Sequence, residues 1–411
     1  MVPCRRGRLD AGWAGGGRGG AGRVSPLPSG RSGLPEIVGS CGTSGTDAGV
    51  GWVAEIVAGI QAEERLSLRV ARIYSEEDAG TLAERLDEGR VHPLPPLGAL
   101  RRETLESCTH IVGVMGHEPI VAALEAGAQV VLAGRATDTA IAAAYPLMKG
   151  MPAGPSWHAA KIIECGGQCT SDPRAGAVLA TVDAGGFTIE PLDPAVSCTP
   201  ILVAAHMLYE TVNPYEMREP DGTLDVRDAA YTALDERRVR VEGSRFPVAD
   251  QHTIKLEGAR VTGYETMSFS AIRDPHIDEW AELTHTVLRQ RVEQTIGLSD
   301  DKYAVDLRLY GHNAMLGDLN PASGPPREVG VMLLVSGPEQ ATATAVAKIA
   351  NPLMLHLPTP DMDYLPSLAF PASPAETERG PAYEFVLHHV VDTVTPTEMF
   401  RTEIEEPPHH G

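Results

Sequence analysis

The sequence predicts an α/β protein whose N-terminal half is a mostly parallel sheet with flanking helices and whose C-terminal half is α+β with antiparallel strands. In the first half, short apolar runs alternate with segments of helical period, which is typical of strand–helix–strand units. In the second half, longer runs of alternating polarity follow one another across turns rich in Gly, Asp and Pro. With 43% hydrophobic and 22% charged residues, the chain can bury a sizeable core.

Four apolar runs of the first half predict the strands of the parallel sheet. They read PEIVGS, LRVARIY, THIVGVMG and AQVVLAGR in chain order. After the first run, VGWVAEIVAGIQAEE places Val50, Val53, Ile56, Val57 and Ile60 at helical spacing. Helices that connect parallel strands cover both faces of a sheet, so we expect such a covered layer here.

Five runs of the second half predict antiparallel strands. They lie in VLATVDAGGFTIEPL, RRVRVEGSRF, TIKLEGARVTGYETMSFSAI, AVDLRLYG and EVGVMLLVS, with helical patterns near residues 276–297 and 338–351. We therefore expect an α/β domain over residues 35–180 and an α+β domain over 181–401, divided near 175–185. Residues 402–411 are expected to form a disordered tail.

Residues 1–33 are rich in Gly and Arg, nearly free of aliphatic side chains and without periodicity. A segment of this composition has little apolar surface to bury, so we expect it to be disordered. We interpret it as the product of a mis-assigned start in preference to a basic tail that binds nucleic acid.

Charge and hydropathy argue against several classes of partner. The formal net charge is −21, from 55 acidic and 34 basic residues, so the average surface repels nucleic acid and anionic membranes. Because no apolar run approaches the ~20 residues that cross a bilayer, and the N-terminus lacks the apolar stretch of a signal peptide, we expect a soluble, cytoplasmic protein. Its expected partner is a small-molecule acid or acyl thioester, and homo-oligomerisation stays open. The six cysteines include no Cys-x-x-Cys pair and are expected to be reduced.

A Gly-rich turn, GSCGTSGTDAG at residues 39–49, joins the first strand to the first helix. The backbone N–H groups of Gly42, Thr43, Ser44 and Gly45 lie where a helix N-terminus favours a carboxylate, a phosphate or a thioester oxygen. A tight turn with Thr46 or Asp47 as the helix cap accounts for the same residues equally well. The turn matches neither the dinucleotide fingerprint nor the phosphate loop, which argues against hydride chemistry.

The segment LAGRATDTA places Arg135 and Asp138 just beyond the carboxyl end of a predicted parallel strand. Sites in open α/β sheets form at this edge. Arg135 is suited to grip a carboxylate with its forked guanidinium. Asp138 is either a base or the cap of the following helix, and we favour the cap.

The segment WHAAKIIECGGQC predicts a helix on which His158, Lys161 and Cys165 share one face and Glu164 lies on another. A Cys–His couple, or metal binding by Cys165 with Cys169, is a weak hypothesis beside that of buried structural cysteines.

His206 and Glu210 follow four residues apart in VAAHMLYE. Two such side chains on one turn of helix could contribute to a metal site, although an exposed polar stripe is the favoured interpretation.

Lys255 and Glu257 share one face of the predicted strand TIKLEGA, as Asp306, Arg308, Tyr310 and His312 do in VDLRLYGHN. Either these are solvated sheet faces, or they line a cleft between the two halves and supply acids, bases and anion grips.

Several sequence blocks together resemble the acyclic terpene utilisation (AtuA) family. They are VLAGRATDTAIAAAYPLMKG, KIIECGGQC, EPLDPAVSCTPILVAAHMLYE, TIKLEGARVTGYETMSFSAIRDP and the closing YEFVLHHVV with EMFR, in the same order over about residues 35–401. The resemblance implies a role in the breakdown of acyclic terpenes and related branched acids through CoA thioesters, with lyase labels among some relatives. Members usually begin with a further strand and helix carrying a Gly-rich loop, where this chain has residues 1–33.

We therefore hypothesise a catabolic hydratase or lyase for a branched carboxylic acid or its CoA thioester. Arg135 is the expected anion grip, and Asp138, Glu164, Lys255 and Glu257 are the candidates for proton transfer. The alternative is a non-catalytic subunit that binds an acyl ligand or scaffolds a catabolic complex. The cofactor stays open between a CoA thioester substrate alone and an added divalent metal, and no residue is assigned to a metal.

Overall fold

A computed structural model of the chain describes residues 34–321, 326–358, 365 and 367–407. The chain divides into two compact units: unit 1 runs to Gly258 and resumes at Val386, and unit 2 is Ala259–Phe385. The predicted disorder of residues 1–33 lies outside the described residues. The division expected near 175–185 falls inside unit 1 and stays a prediction.

Unit 1 combines a parallel layer with a second, antiparallel sheet. Its helices are α1 (Asp47–Glu64), α2 (Ala79–Asp87), α3 (Arg102–Ser107), α4 (Glu118–Glu125), α5 (Asp138–Met148), α6 (Ala153–Ile163) and α7 (Pro200–Ala205). Its first strands are β1 (Glu36–Val38), β2 (Val70–Tyr74), β3 (Val91–Pro93), β4 (His110–Val114), β5 (Val130–Ala133), β6 (Val178–Asp183) and β7 (Gly186–Pro191). There follow β8 (Glu216–Glu219), β9 (Gly222–Asp225), β10 (Ala230–Ala233) and β11 (Val239–Glu242).

Unit 2 contains α8 (Ile277–Ile296), α9 (Gln340–His356), β13 (Ala304–Tyr310), β14 (Val329–Gly337) and β15 (Ser367–Ala369). Strands β12 (Thr253–Arg273) and β16 (Glu376–Asp392) have residues in both units, and β17 (Arg401–Glu405) ends unit 1. Short 3-10 helices occupy Gly166–Cys169, Pro173–Ala175, His206–Leu208, Asp300–Lys302 and Gly317–Leu319.

The predicted parallel sheet is confirmed, with the order β1-β5-β2-β17. Strands β1, β5 and β2 are parallel and in register from Glu36 opposite Val130 onwards. Most of their residues are apolar because helices cover the sheet, and α1 packs Val50, Ala54 and Val57 against it. Among the described residues, no helix is long and apolar enough to cross a bilayer.

The last strand of this sheet corrects one expectation. Residues 402–405, expected to be a disordered tail, belong to β17, which pairs antiparallel with β2. The segment Arg-Thr-Glu-Ile-Glu resembles a solvated tail because four of its five side chains are polar. It is held instead by backbone pairing and by Arg401, whose guanidinium lies 3.9 Å over the Tyr74 ring.

The predicted strand THIVGVMG forms as β4, but β4 pairs with β12 in another sheet. It still meets the edge of the parallel sheet, because the Gly113 amide donates to the Ser75 carbonyl at 2.8 Å and the Met115 amide to the Arg135 carbonyl at 2.9 Å. The carboxyl end of β4 therefore lies beside those of β2 and β5.

The rest of unit 1 is built around helix α6. The antiparallel sheet β10-β11-β7-β6 packs its inner face, including Phe187 and Val239, with Trp157 of α6 in one core. Burial covers nearly the whole helix, which is why its polar residues His158 and Lys161 need internal partners.

Unit 2 is antiparallel, as predicted for the second half. Strand β14 lies between β13 and β12, and its alternate residues Val331, Leu333 and Val335 are buried with Trp280 of α8 and Val346 of α9. On β13, an exposed ion pair joins Arg308 Nε to Asp306 Oδ2 at 2.7 Å.

Candidate functional site

Three chain segments meet at the carboxyl edge of the parallel sheet in unit 1: the Gly-rich turn after β1, the residues after β2, and the residues after β5. Ser75, fully buried, joins them. Its hydroxyl donates to the Gly45 carbonyl at 2.9 Å and accepts from the Arg135 amide at 2.6 Å. Sequence reasoning did not identify Ser75, since one serine after a strand carries no local signal.

The backbone of the Gly-rich turn is left-handed at several positions, two of which are glycines. Gly42, Thr43 and Gly45 each have φ of 69°, in the left-handed region. A Cβ on Gly45 would overlap the backbone nitrogen of Arg135 and lie 2.7 Å from the Gly134 carbonyl carbon. The turn therefore packs directly on the backbone that carries Arg135.

The helix that follows the turn is capped by Thr46, whose side chain accepts from the Gly49 amide. Its first amide, on Asp47, donates to Glu76 Oε2 at 2.9 Å, so a protein carboxylate occupies one position at this N-terminus. The other oxygen of Glu76 pairs with Nδ1 of His110. Ligand binding by Gly42, Thr43, Ser44 and Gly45 stays a prediction.

Arg135, Lys255 and Glu257, here named the Arg135 cluster, are brought together as the sequence suggested. Arg135 Nε donates to Glu257 Oε2 at 2.8 Å, and Lys255 Nζ donates to Glu257 Oε1 at 2.7 Å. Arg135 Nη1 donates to Ser40 Oγ at 3.2 Å, while Nη2 makes no hydrogen bond within the described part of the chain.

Glu257 is a carboxylate held ionised between two cations. Burial acts to raise the pKa of Glu257, but hydrogen bonds from Arg135 and Lys255 outweigh it, so the net pKa lies below its ordinary value. Its side chain is 15% exposed, against 29% for Arg135 and 37% for Lys255. The two cations are thus the accessible part of the cluster.

Asp138 and Glu164 lie in a different neighbourhood. Thr137 caps α5 by accepting from the Ala140 amide at 3.1 Å, so the interpretation of Asp138 as the cap is wrong. Glu164 pairs with Lys161, and its pKa is raised by burial, opposed by Lys161 and reinforced by the negative charge of Asp138. Neither carboxylate hydrogen-bonds to the Arg135 cluster among the described residues.

Glu219 is a buried acid that the sequence analysis missed. Thr137 Oγ1 donates to its Oε2 at 2.8 Å, and Thr139 bonds its other oxygen. Burial raises the pKa of Glu219 to about 8, against the opposing effect of the threonine hydroxyls. It lies at the end of β8, where nothing in the local sequence distinguishes it from an exposed acid.

The Cys–His hypothesis on α6 is wrong. His158 is fully buried, with Nδ1 2.7 Å from Ser244 Oγ and Nε2 3.2 Å from Tyr231 Oη, and burial lowers its pKa to about 3. The thiol of Cys169 donates to the Gly166 carbonyl at 3.0 Å, and Cys169 and Cys198 are both buried, in line with structural cysteines. Cys165 is half-buried, and burial raises its pKa.

Of the two interpretations of the His206–Glu210 pair, the exposed polar stripe is wrong for His206, and a contribution to a metal site stays a prediction. Helix α7 ends at Ala205, and Glu210 has φ of 53°, so the two side chains do not lie on one turn of helix. His206 is buried rather than exposed, and its ring stacks on Tyr209.

A group with metal-ligand chemistry lies at the end of β4. It comprises His117, Glu118 and Asp221, here named the His117 cluster, and one donor atom from each lies within 4.8 Å of the others. No residue of this group was predicted from the sequence as a metal ligand, because Asp221 is far from the other two along the chain.

The turn, the strand ends and α6 all lie within a stretch of the chain that matches one protein family. A sequence model of that family, described as acyclic terpene utilisation family protein AtuA, matches residues 32–362. The chain belongs to the AtuA family. The match covers the Gly-rich turn, the Arg135 cluster and the His117 cluster, and it confirms the resemblance inferred from sequence. No curated protein and no solved structure gave a significant match.

Proposed function

We propose that this AtuA-family chain is a catabolic hydratase or lyase that acts on a branched carboxylic acid or its CoA thioester. The observation that carries the proposal is the Arg135 cluster, in which two accessible cations flank one ionised carboxylate. It lies at the carboxyl end of a parallel strand, where sites in open α/β sheets form.

The guanidinium of Arg135 supplies the grip for an acidic ligand. Glu257 and Ser40 fix Nε and Nη1, so the group is held in one orientation before a ligand arrives. Nη2 is left to donate to a carboxylate or thioester oxygen, and the ammonium of Lys255 adds a second positive charge.

Dehydration of a β-hydroxyacyl group can be written with these three side chains. Glu257 accepts the proton from the carbon next to the acyl carbonyl, and the cations stabilise the enolate oxygen that forms. The bond from the β-carbon to its hydroxyl oxygen then breaks, Lys255 protonates that oxygen, and water leaves as the carbon–carbon double bond forms.

The cycle closes without a further reactant. Protonated Glu257 returns its proton to neutral Lys255, whose nitrogen lies 2.7 Å from Oε1. A ligand oxygen that draws Lys255 away from Glu257 weakens one of the bonds that lower the pKa of Glu257, which makes the carboxylate a stronger base during the reaction. Asp138 and Glu164 are the weaker candidates because they do not contact the cluster.

The test uses the full chain and a panel of branched 2,3-unsaturated acids and their CoA thioesters, with product followed by mass spectrometry. We expect hydration of at least one thioester, and Arg135→Ala and Glu257→Gln should each lower kcat/KM by about 100-fold or more. Arg308→Ala is the matched control, since it removes an exposed Arg–Asp pair in unit 2 and should leave the rate unchanged.

Two results would overturn the enzyme proposal. Turnover that survives Arg135→Ala and Glu257→Gln would place the reaction elsewhere. Thermal stabilisation by a thioester that depends on Arg135, without any turnover across the panel, would instead identify an acyl-binding subunit.

A further inference from the structure

The His117 cluster combines an imidazole with two carboxylates at one point of unit 1. His117 and Glu118 stand at the start of α4, and Asp221 comes from the turn between β8 and β9. His117 Nδ1 lies 3.5 Å from Glu118 Oε2 and 3.8 Å from Asp221 Oδ2. The three side chains therefore direct their ligand atoms toward one point without forming hydrogen bonds to one another.

The three side chains do not satisfy one another. His117 Nδ1, Glu118 Oε2 and Asp221 Oδ1 are shielded from solvent and have no hydrogen-bond partner among the described residues. An imidazole that served only as a counter-ion would close to hydrogen-bond distance with one carboxylate. Ligands bound to one ion at about 2.0–2.2 Å are instead roughly 2.8–3.6 Å apart at octahedral or tetrahedral angles. Of the two separations from His117 Nδ1, 3.5 Å falls within that spacing and 3.8 Å slightly exceeds it.

The neighbouring residues hold the donors in place. His252 Nε2 lies 3.2 Å from Glu118 Oε1, and its Nδ1 lies 2.6 Å from Thr393 Oγ1. His252, itself held by Thr393, therefore fixes the orientation of the Glu118 carboxylate. The His117 ring packs edge-on against Trp157 with centroids 5.6 Å apart. At Gly116, a Cβ would lie 2.6 Å from Glu118 Oε2, so a larger residue there would require this carboxylate to shift.

We propose that His117, Glu118 and Asp221 bind one divalent transition-metal ion, with Zn²⁺ and Mn²⁺ as the natural probes. Two ionised carboxylates balance a divalent charge, and the imidazole favours these ions over Mg²⁺ and Ca²⁺, which prefer oxygen ligands. Three protein ligands leave at least one coordination position for water or a small ligand. This inference does not depend on the proposed reaction.

The site lies along the same sheet edge as Arg135. The Met115 amide donates to the Arg135 carbonyl, and the Thr137 amide donates to the Met115 carbonyl at 3.0 Å. His117 therefore follows two residues after a strand end that is hydrogen-bonded to the Arg135 backbone. An ion bound by His117 would therefore lie at the same sheet edge as Arg135.

The test measures binding on the full chain, independently of activity. After removal of metal with a chelator, titration calorimetry with ZnCl₂ and MnCl₂ should give one high-affinity ion per chain. Glu118→Gln and Asp221→Asn keep the size of each side chain and should each weaken binding at least tenfold. Asp392→Asn is the matched control, because it removes an exposed His–carboxylate pair, with His92 Nε2 2.8 Å from Asp392 Oδ2, and should leave binding unchanged.

Absence of binding of either ion by the unaltered chain would overturn the proposal. The proposal would also be overturned if Glu118→Gln and Asp221→Asn bound the ions as tightly as the unaltered chain. The same holds if Asp392→Asn weakened binding as much as these two variants do. The visible spectrum of the Co²⁺-loaded chain gives a second readout, since His117→Gln should alter the ligand-field bands if the imidazole is a ligand. A failure of the hydratase proposal would leave each of these results unaffected.

Discussion

The contact between the Gly-rich turn and the Arg135 backbone makes Gly45 a sensitive position, and Gly45→Ala tests it. At φ of 69° an alanine is already unfavourable, and its Cβ would overlap the Arg135 backbone nitrogen. The overlap involves main chain on both sides, so no side-chain rotation relieves it. Either the turn or the end of β5 has to move.

The cost can be assigned from three effects. A left-handed backbone costs a residue with a Cβ about 1–2 kcal/mol, and forcing extra volume into a packed contact costs about 1–3 kcal/mol. Displacement of the turn also breaks the bond from Ser75 to the Gly45 carbonyl, worth about 1 kcal/mol. We expect Gly45→Ala to destabilise unit 1 by roughly 3–6 kcal/mol, the sum of these effects.

Gly51→Ala provides a matched control on the same segment. Gly51 lies inside α1, and a Cβ there meets no atom within 4 Å. Alanine in a helix interior is favoured over glycine by about 0.5–1 kcal/mol, so this variant should be more stable than the original chain. Urea denaturation followed by circular dichroism measures both variants. Equal midpoints for Gly45→Ala and Gly51→Ala would refute the close packing of the turn on the Arg135 backbone.

Two further predictions concern the pH dependence of stability. Burial lowers the pKa of His158 from 6.5 to about 3, so the unfolded chain binds this proton first and the free energy of unfolding falls as pH drops below 6.5. The loss should reach about 2–3 kcal/mol by pH 4.5. His158→Gln should reduce this decrease in stability at acid pH, measured by urea midpoints. Burial, opposed by Arg85, raises the pKa of Glu77 from 4.5 to about 8, so the unfolded chain loses this proton first and stability falls as pH rises between these values. Glu77→Gln should therefore become progressively more stable than the original chain from pH 5 to pH 8, and parallel pH curves would contradict the buried acid.

Regular periodicity and strand-end position explain what the sequence predicted well. The strands of the parallel sheet are short apolar runs separated by helical patterns, and such runs have little alternative to burial. The position of Arg135 at the sheet edge could be predicted because polar residues that follow a buried parallel strand reach that edge. Lys255 and Glu257 could be grouped because alternate residues of a strand share a face.

Contacts between segments distant in the chain explain what the sequence did not predict. Ser75 and Glu219 act through partners 60 and about 80 residues away, so no local pattern marks them. Asp138 and Thr137 are both acceptable helix caps by residue type, and only the backbone of Thr137, extended at φ of −66° and ψ of 140°, decides between them. In β17, pairing with β2 outweighs a polar composition that by itself indicates a tail.

The charge of the Arg135 cluster bears on how an acid could bind a chain whose net charge is −21. Arg135, Lys255 and Glu257 together carry one net positive charge, and the carboxylate is the most buried of the three side chains. We therefore expect a ligand carboxylate to meet the cations rather than Glu257 and, on binding, to neutralise the net charge of the cluster. Since both cations remain partly exposed to solvent, added salt should weaken this attraction, whereas a deeply buried pair would be screened much less. Elsewhere, a surface that is acidic on average is expected to disfavour anions, so the attraction depends on the paired cations of this cluster.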